Sequence, residues 1–308
     1  MKTSVLSKQM HDAARTKSRK PLFRIGLIVF YVVTFAVLIG FFVDGFSYYS
    51  APYIERPHHL LYRQFRPAGT WGLVFGVIGA AMLTMMLAYT VRKRSKFLRR
   101  VGELPTWLNL HIYLGMTGPL FIILHTSFKV QGLVAVSFWS MILVALSGYF
   151  GRYLYIQIPR NIQGNELSLH ELEEMRNSFT QLLRERYDLN VESLERLDAL
   201  AKVSIPEEAG LFKAFVLTIG NDMRWFAMSR ALRKEFSLII DLPKKQLRHM
   251  IKLARERSLL QRRIALMSRA QQLFHYWHVI HKPFAFVMYI VMTIHITVAI
   301  WTGYARIF

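Results

Sequence analysis

Long apolar runs alternate with short basic or polar segments along most of this chain. The runs cover about Leu22–Val43, Trp71–Val91, Pro105–Lys129, Val134–Ile156 and Phe274–Tyr304. Each is about 20 residues or longer, the length an α-helix needs to cross a hydrocarbon layer of roughly 30 Å. Between the fourth and fifth runs the pattern changes. Residues 157–274 are mostly polar, with apolar positions at helical spacing in ELSLHELEEMRNSFTQLLRERY and in KKQLRHMIKLARERSLLQRRIALMSRAQQLF. Ser168, followed three positions later by Glu171, reads as a capping box at a helix start. The piece LFKAFVLTIGNDMRWFAM is too short to span and carries Asp222 and Arg224. The pattern therefore predicts an all-α integral membrane bundle of five spans: a basic N-terminal segment over 1–21, four spans within 22–156, a helical insert over 157–274 and a fifth span within 275–308.

Charge orients these elements. The 308 residues hold 40 Lys and Arg against 19 Asp and Glu, a net charge of +21. Basic residues crowd the N-terminal segment, the RKRSKFLRR stretch after the second run, and the insert. Lys and Arg hold loops on the cytoplasmic side, so the N-terminus and the insert are expected in the cytoplasm and the C-terminus outside, in a bacterial-type inner membrane. Asp44 to Thr70, aromatic and punctuated by proline, is expected as an external loop lying against the interface. A nucleic-acid binder could be this basic but would not carry five such apolar runs, so the expected contact is the bilayer and its anionic headgroups, with no nucleic acid. The first run is too long for the apolar region of a signal peptide and reads as a retained anchor. The chain has no cysteine, which excludes disulfides, cysteine-ligated iron–sulfur clusters and thioether-linked haem.

Histidines add chemistry to two of the runs. His111 and His125 stand fourteen positions apart in the third, and His281 and His295 fourteen apart in the fifth. Fourteen residues are nearly four helical turns, a rise of roughly 21 Å, so each pair lies on one helix face near opposite membrane edges. The third and fifth runs both point from inside to outside. Parallel helices with equal spacing close both rungs together, His111 with His281 and His125 with His295. Intramembrane histidines are functional candidates by default, and two matched rungs suggest two b-type haems, each held by one histidine from each helix. The four histidines are thus the candidate metal ligands. At about 100° per residue His281 lies within about 40° of the His295 face, whereas His278 is about 100° away and His275 nearly opposite. His281 is the expected ligand; His278 stays open, since Pro283 can disturb the local helix. Helix packing by hydrogen-bonded histidines is the plainer alternative.

Neighbouring residues fit the same scheme. Gly118 lies seven positions from both His111 and His125, where glycine admits either a porphyrin or another helix, and Gly115 and Gly76 have the same potential. Met288 and Met292 fall on the ligand face of the fifth run as packing residues. Arg152 and Lys282 are placed for the propionates of an inner haem, and Lys129, Arg63 and Arg66 for those of an outer one. A quinone is an open further ligand, with His275 or His278 as hydrogen-bond partner. The sequence carries no glycine-rich phosphate loop, nucleotide fingerprint or His-Glu-x-x-His zinc motif.

These histidine pairs resemble the di-haem four-helix core of the membrane cytochrome b superfamily, found in quinol oxidoreductases and in the ferric reductase-like transmembrane domain. The resemblance covers about residues 70–156 and 275–305 and rests on the four histidines. It implies His111–His281 and His125–His295 ligation. The Pro-Glu-Trp-Tyr motif of quinol oxidation is absent, as are the sixth span and flavin–nicotinamide domain of ferric reductases, and the insert has no counterpart. The expectation is an electron-transfer subunit of an oxidoreductase complex, linking a quinone pool or cytoplasmic partner to an external c-type cytochrome or iron–sulfur protein, with a flavoprotein among the candidate partner subunits. A ferric or metal reductase, and a haem-free anchor or transporter, are the alternatives.

Overall fold

The structure, a computed structural model, describes residues 20–97, 101–159, 166–187, 216–217, 220 and 243–304. Among these residues the regular structure is helical throughout. The first helix, α1, is Lys20–Asp44, followed by the short α2, Phe46–Ser50, a 3-10 turn at Arg56–His58, and α3, Tyr62–Phe65. Then come α4, Thr70–Met85, α5, Leu87–Arg94, α6, Leu104–Thr126, and α7, Leu133–Gln157. The chain continues through α8, Leu169–Tyr187, and α9, Lys244–Trp301. Among the described residues five stretches are long and apolar enough to cross a membrane: Leu22–Asp44, Tyr62–Arg94, Leu104–Thr126, Leu133–Gln157 and Met267–Trp301. They coincide with the five apolar runs. Apolar side chains project outward from them, Val32 on α1, Leu146 on α7 and Phe286 on α9 each being more than half exposed. That is the surface a lipid-facing helix presents.

Two elements differ from the sequence expectation. The second span is two helices, because the ladder tightens to i→i+3 bonds at Met86, whose amide meets the carbonyl of Leu83 and whose own carbonyl accepts from Tyr89. The fifth span is the end of one 58-residue helix that begins in the basic segment. No glycine or proline lies between Lys244 and Lys282, so nothing in the sequence stops the helix there, and it runs on through Pro283.

The chain divides into two compact units, residues 1–148 with 281–308, and residues 149–280. Within the first, α4 and α6 form the most extensive helix pair, flanked by two apolar clusters. One gathers Leu38, Tyr48, Tyr49, Phe65, Phe75, Phe121 and Leu124; the other gathers Leu83, Met86, Tyr113, Leu114, Met141 and Met288. Buried arginines fasten the chain at both ends of this pair. Arg56 donates to the carbonyls of Ala51, Tyr49 and Ser127, the last being the cap residue of α6. Arg92, from the basic stretch after the second span, donates to the carbonyls of Val101 and Gly102 just before α6.

Within the second unit, α8 packs Leu172 against Leu260 and Met267 of α9. Tyr187 shares a hydrogen bond with His249, and Arg257 donates to Thr180. The capping box forms: the Glu171 carboxylate accepts from the Ser168 amide and hydroxyl, and the Ser168 hydroxyl accepts from the Glu171 amide. The apolar piece with Asp222 and Arg224 lies outside the described residues, apart from residues 216–217 and 220.

Candidate functional site

The antiparallel pair α4 and α6 is close because small residues meet at its centre. A Cβ added to Gly79 would stand 3.1 Å from the Gly118 carbonyl oxygen, and one added to Gly118 would stand 3.3 Å from the Cβ of Met82. The neighbour that Gly118 admits is therefore the second span. On either side of this crossing the second span meets one of the two histidines of α6. The Nδ1 of His125 is 2.8 Å from the Gly72 carbonyl oxygen, and the Nδ1 of His111 is 3.3 Å from that of Met86. Gly72 and Met86 are fourteen positions apart, as are His111 and His125. The second span thus offers two carbonyls at the spacing of the histidines, in reversed order.

Local structure makes each carbonyl approachable. At Met86 the break between α4 and α5 reshapes the ladder. Near Gly72 the missing side chain of Gly76 matters, since a Cβ there would lie 2.7 Å from the Nδ1 of His125. On α9, the Nδ1 of His281 is 2.7 Å from the Oγ of Ser147, which donates to the Val144 carbonyl.

A carbonyl oxygen only accepts, so His125 and His111 carry their proton on Nδ1. The direction of the bond between Ser147 and His281 follows the imidazole tautomer. In the imidazoles of His111 and His125, Nε2 is the nitrogen suited to a metal, the arrangement in which a hydrogen bond on one ring nitrogen fixes the other as ligand.

The structure brings His125 and His295 together, with ring centroids 6.5 Å apart and planes inclined by 61°. His111 and His281 are each fixed by a partner of their own, and the His111 ring also lies 5.2 Å from that of Tyr89. His278, in the second unit, has its Nδ1 2.8 Å from the Phe274 carbonyl oxygen and its ring against Phe274 and Trp277. His275 is exposed beside Tyr276.

The remaining predicted residues fall as follows. Met288 is buried in the cluster with Met86 and Leu114, its carbonyl accepting from Ser137, and Met292 packs at the edge of that cluster. Lys282 and Lys129 are exposed. Arg152 belongs to the second unit, its guanidinium 5.8 Å from the centre of the Tyr155 ring. Arg63 is exposed, whereas Arg66 is half-buried over Tyr62, and its buried Nε finds no hydrogen-bond partner among the described residues. Arg66 is close to the His125 end, since a Cβ on Gly72 would collide with the Arg66 carbonyl.

Sequence reasoning missed three contributors. Ser147 was visible only as one of three serines in an apolar run. Arg92 was hidden among the stop-signal cations. Tyr289 donates to the Leu83 carbonyl at 2.6 Å, tying the fifth span to the second beside its break.

No protein-family model, curated protein or solved structure matches this chain. Its own residues must carry the functional reading. Among the described residues, no three or more His, Cys, Asp or Glu side chains gather as a metal site, so the arrangement to weigh is a two-histidine one.

Proposed function

We propose that the protein is a membrane-embedded di-haem cytochrome b, an electron-transfer subunit of a larger oxidoreductase. The observation that carries this reading is the 6.5 Å between the His125 and His295 ring centroids. Two imidazoles bound on opposite sides of one metal ion, each through a bond of about 2 Å, place their ring centres roughly 6.3 Å apart. The spacing fits, and the hydrogen bond from His125 to Gly72 leaves its Nε2 as the ligand atom.

His125 and His295 would hold one haem, and His111 and His281 the other. Bound in this way, the haems supply one-electron transfer with no coordination position open to oxygen. Gly72 and Met86 would fix the tautomer and orientation of two ligands, and Ser147 would help orient His281. Arg66, with its orphaned buried Nε, is the cation suited to a propionate at the His125 end. Lys282 remains the candidate for the His111 end.

In the proposed orientation the N-terminus and the insert are cytoplasmic, and His125 and His295 lie toward the outside. Electrons would move between a quinone pool or cytoplasmic partner and an external redox protein.

The test is a reduced-minus-oxidised spectrum with pyridine haemochrome quantification on the purified chain, beside His125→Ala and His281→Ala. Two b-type haems per chain are expected, with each substitution removing a different one. A colourless protein would sink the proposal and leave a membrane anchor or transporter in which the histidines bind neighbouring helices.

A further inference from the structure

Arg56 is a cation taken out of water, with only 7% of its surface exposed. Its guanidinium donates from Nε to the Ala51 carbonyl, from Nη1 to the Ser127 carbonyl and from Nη2 to the Tyr49 carbonyl. The guanidinium carbon also lies 5.4 Å from the Tyr48 ring centre and 4.3 Å from that of Tyr53. Carbonyls and ring faces stabilise a cation, but they bring no net negative charge to cancel it. Ser127, whose carbonyl Arg56 holds, caps α6 two positions past His125, so the Cα atoms of Ser127 and His125 are at most about 7.6 Å apart. Tyr53 donates to the Phe128 carbonyl and the Ser127 hydroxyl donates to that of Phe65, which keeps the segment after α2 against this end of the helix. The charge is thus fixed beside the His125–His295 pair, whose ring centroids are 6.5 Å apart.

We infer that Arg56 raises the reduction potential of the haem held by His125 and His295, through the field of its buried and uncompensated charge. The inference rests on the reading of that histidine pair as a haem site. Oxidation of the iron adds one positive charge to the site, and a fixed cation nearby in a low-dielectric interior disfavours that addition. Arg66 differs in kind, because a propionate bound to it would offset its charge. Burial also keeps the field of Arg56 from being screened by salt, as that of an exposed cation is.

The experiment is a redox titration of the full-length chain in detergent, comparing the unaltered protein with Arg56→Gln and Arg56→Lys at low and high salt. His295→Ala identifies the spectral component that belongs to this haem. Its midpoint should fall in Arg56→Gln and stay near the unaltered value in Arg56→Lys, at both salt concentrations. A second pair leaves Arg56 in place and decides the matter even where the Arg56 variants do not fold. Tyr53 is 54% exposed, so Tyr53→Glu can set a carboxylate beside the guanidinium. It should lower the same midpoint, whereas the neutral Tyr53→Gln should not. Equal midpoints in Tyr53→Glu and Tyr53→Gln, or an equal shift in Arg56→Gln and Arg56→Lys, would overturn the inference while the haem reading stands. An unaltered protein without haem would overturn both.

Discussion

At Gly76 the absence of a side chain decides where His125 can stand. A Cβ would lie 2.7 Å from the imidazole Nδ1, closer than such contacts are tolerated. Gly76→Val should therefore displace the imidazole from the Gly72 carbonyl, at an overpacking cost of about 1–3 kcal/mol. One of the two proposed haems should be lost and the other kept, measured as the haem-to-protein ratio. Retention of both with unaltered spectra would show that the ring has room to yield. Gly118, by contrast, works for helix packing, since Met82 and Leu83 of the second span occupy the space beside it.

Elements are fixed by their ends. The end of α6 is unusual, because Ser127 and Phe128 both adopt positive φ, 49° and 61°, where a side chain is disfavoured by about 1–2 kcal/mol per residue. Tertiary bonds hold them there: Ser127 donates to the Phe65 carbonyl and accepts from Arg56, and Phe128 accepts from Tyr53. The Arg56 guanidinium also lies 4.3 Å from the Tyr53 ring centre. Beside it, burial and the neighbouring Tyr48 push the Tyr49 hydroxyl well above its usual range, so it stays neutral although Arg56 pulls the other way. Arg56→Ala would strand three carbonyls and should destabilise the protein by about 3 kcal/mol, lowering the thermal midpoint in detergent. An unchanged midpoint would mean that water replaces the guanidinium freely.

The start of α8 has its own pH dependence. Hydrogen bonds from the Ser168 amide and then its hydroxyl hold the Glu171 carboxyl below its ordinary value. A depressed folded-state value stabilises the cap above the unfolded-state value of about 4.3 and loses that contribution as pH falls through the folded one. Protection of the first-turn amides of α8, relative to their intrinsic exchange at each pH, should therefore fall as acid protonates Glu171. Ser168→Ala should destabilise that turn by about 1 kcal/mol at neutral pH. Equal exchange rates in the variant would remove the capping box from the account.

At the scale of the whole molecule, the distribution of charge yields a test of orientation. The chain is naturally free of cysteine, so single cysteines report cleanly on accessibility. In sealed cells, cysteine at Leu60 should react with an impermeant thiol reagent from outside, and cysteine at Lys245 only after the membrane is opened. Reversed labelling would turn the proposed orientation over and exchange the inner and outer haems.

The five spans were legible because an unbroken apolar run of sufficient length has one stable arrangement in a bilayer, and their bounds moved by only a few residues except at the second and fifth. The fourteen-residue histidine spacing was legible because the helical repeat fixes which positions share a face. Spacing along a chain carries no information about partners on another helix. The pairing of Gly72 and Met86 with the two histidines of α6 follows from how the second and third spans cross at Gly79 and Gly118, and the bond from His281 to Ser147 from how the fourth and fifth lie together. The break at Met86 was likewise invisible, because it has no proline or glycine at its centre and depends on bonds made across helices. Sequence alone determined which segments are helical and which histidines share a face, since both are local consequences of composition and the 3.6-residue turn. Tertiary structure decided which nitrogen of His111, His125 and His281 is bonded to the protein, because that depends on partners tens of residues away.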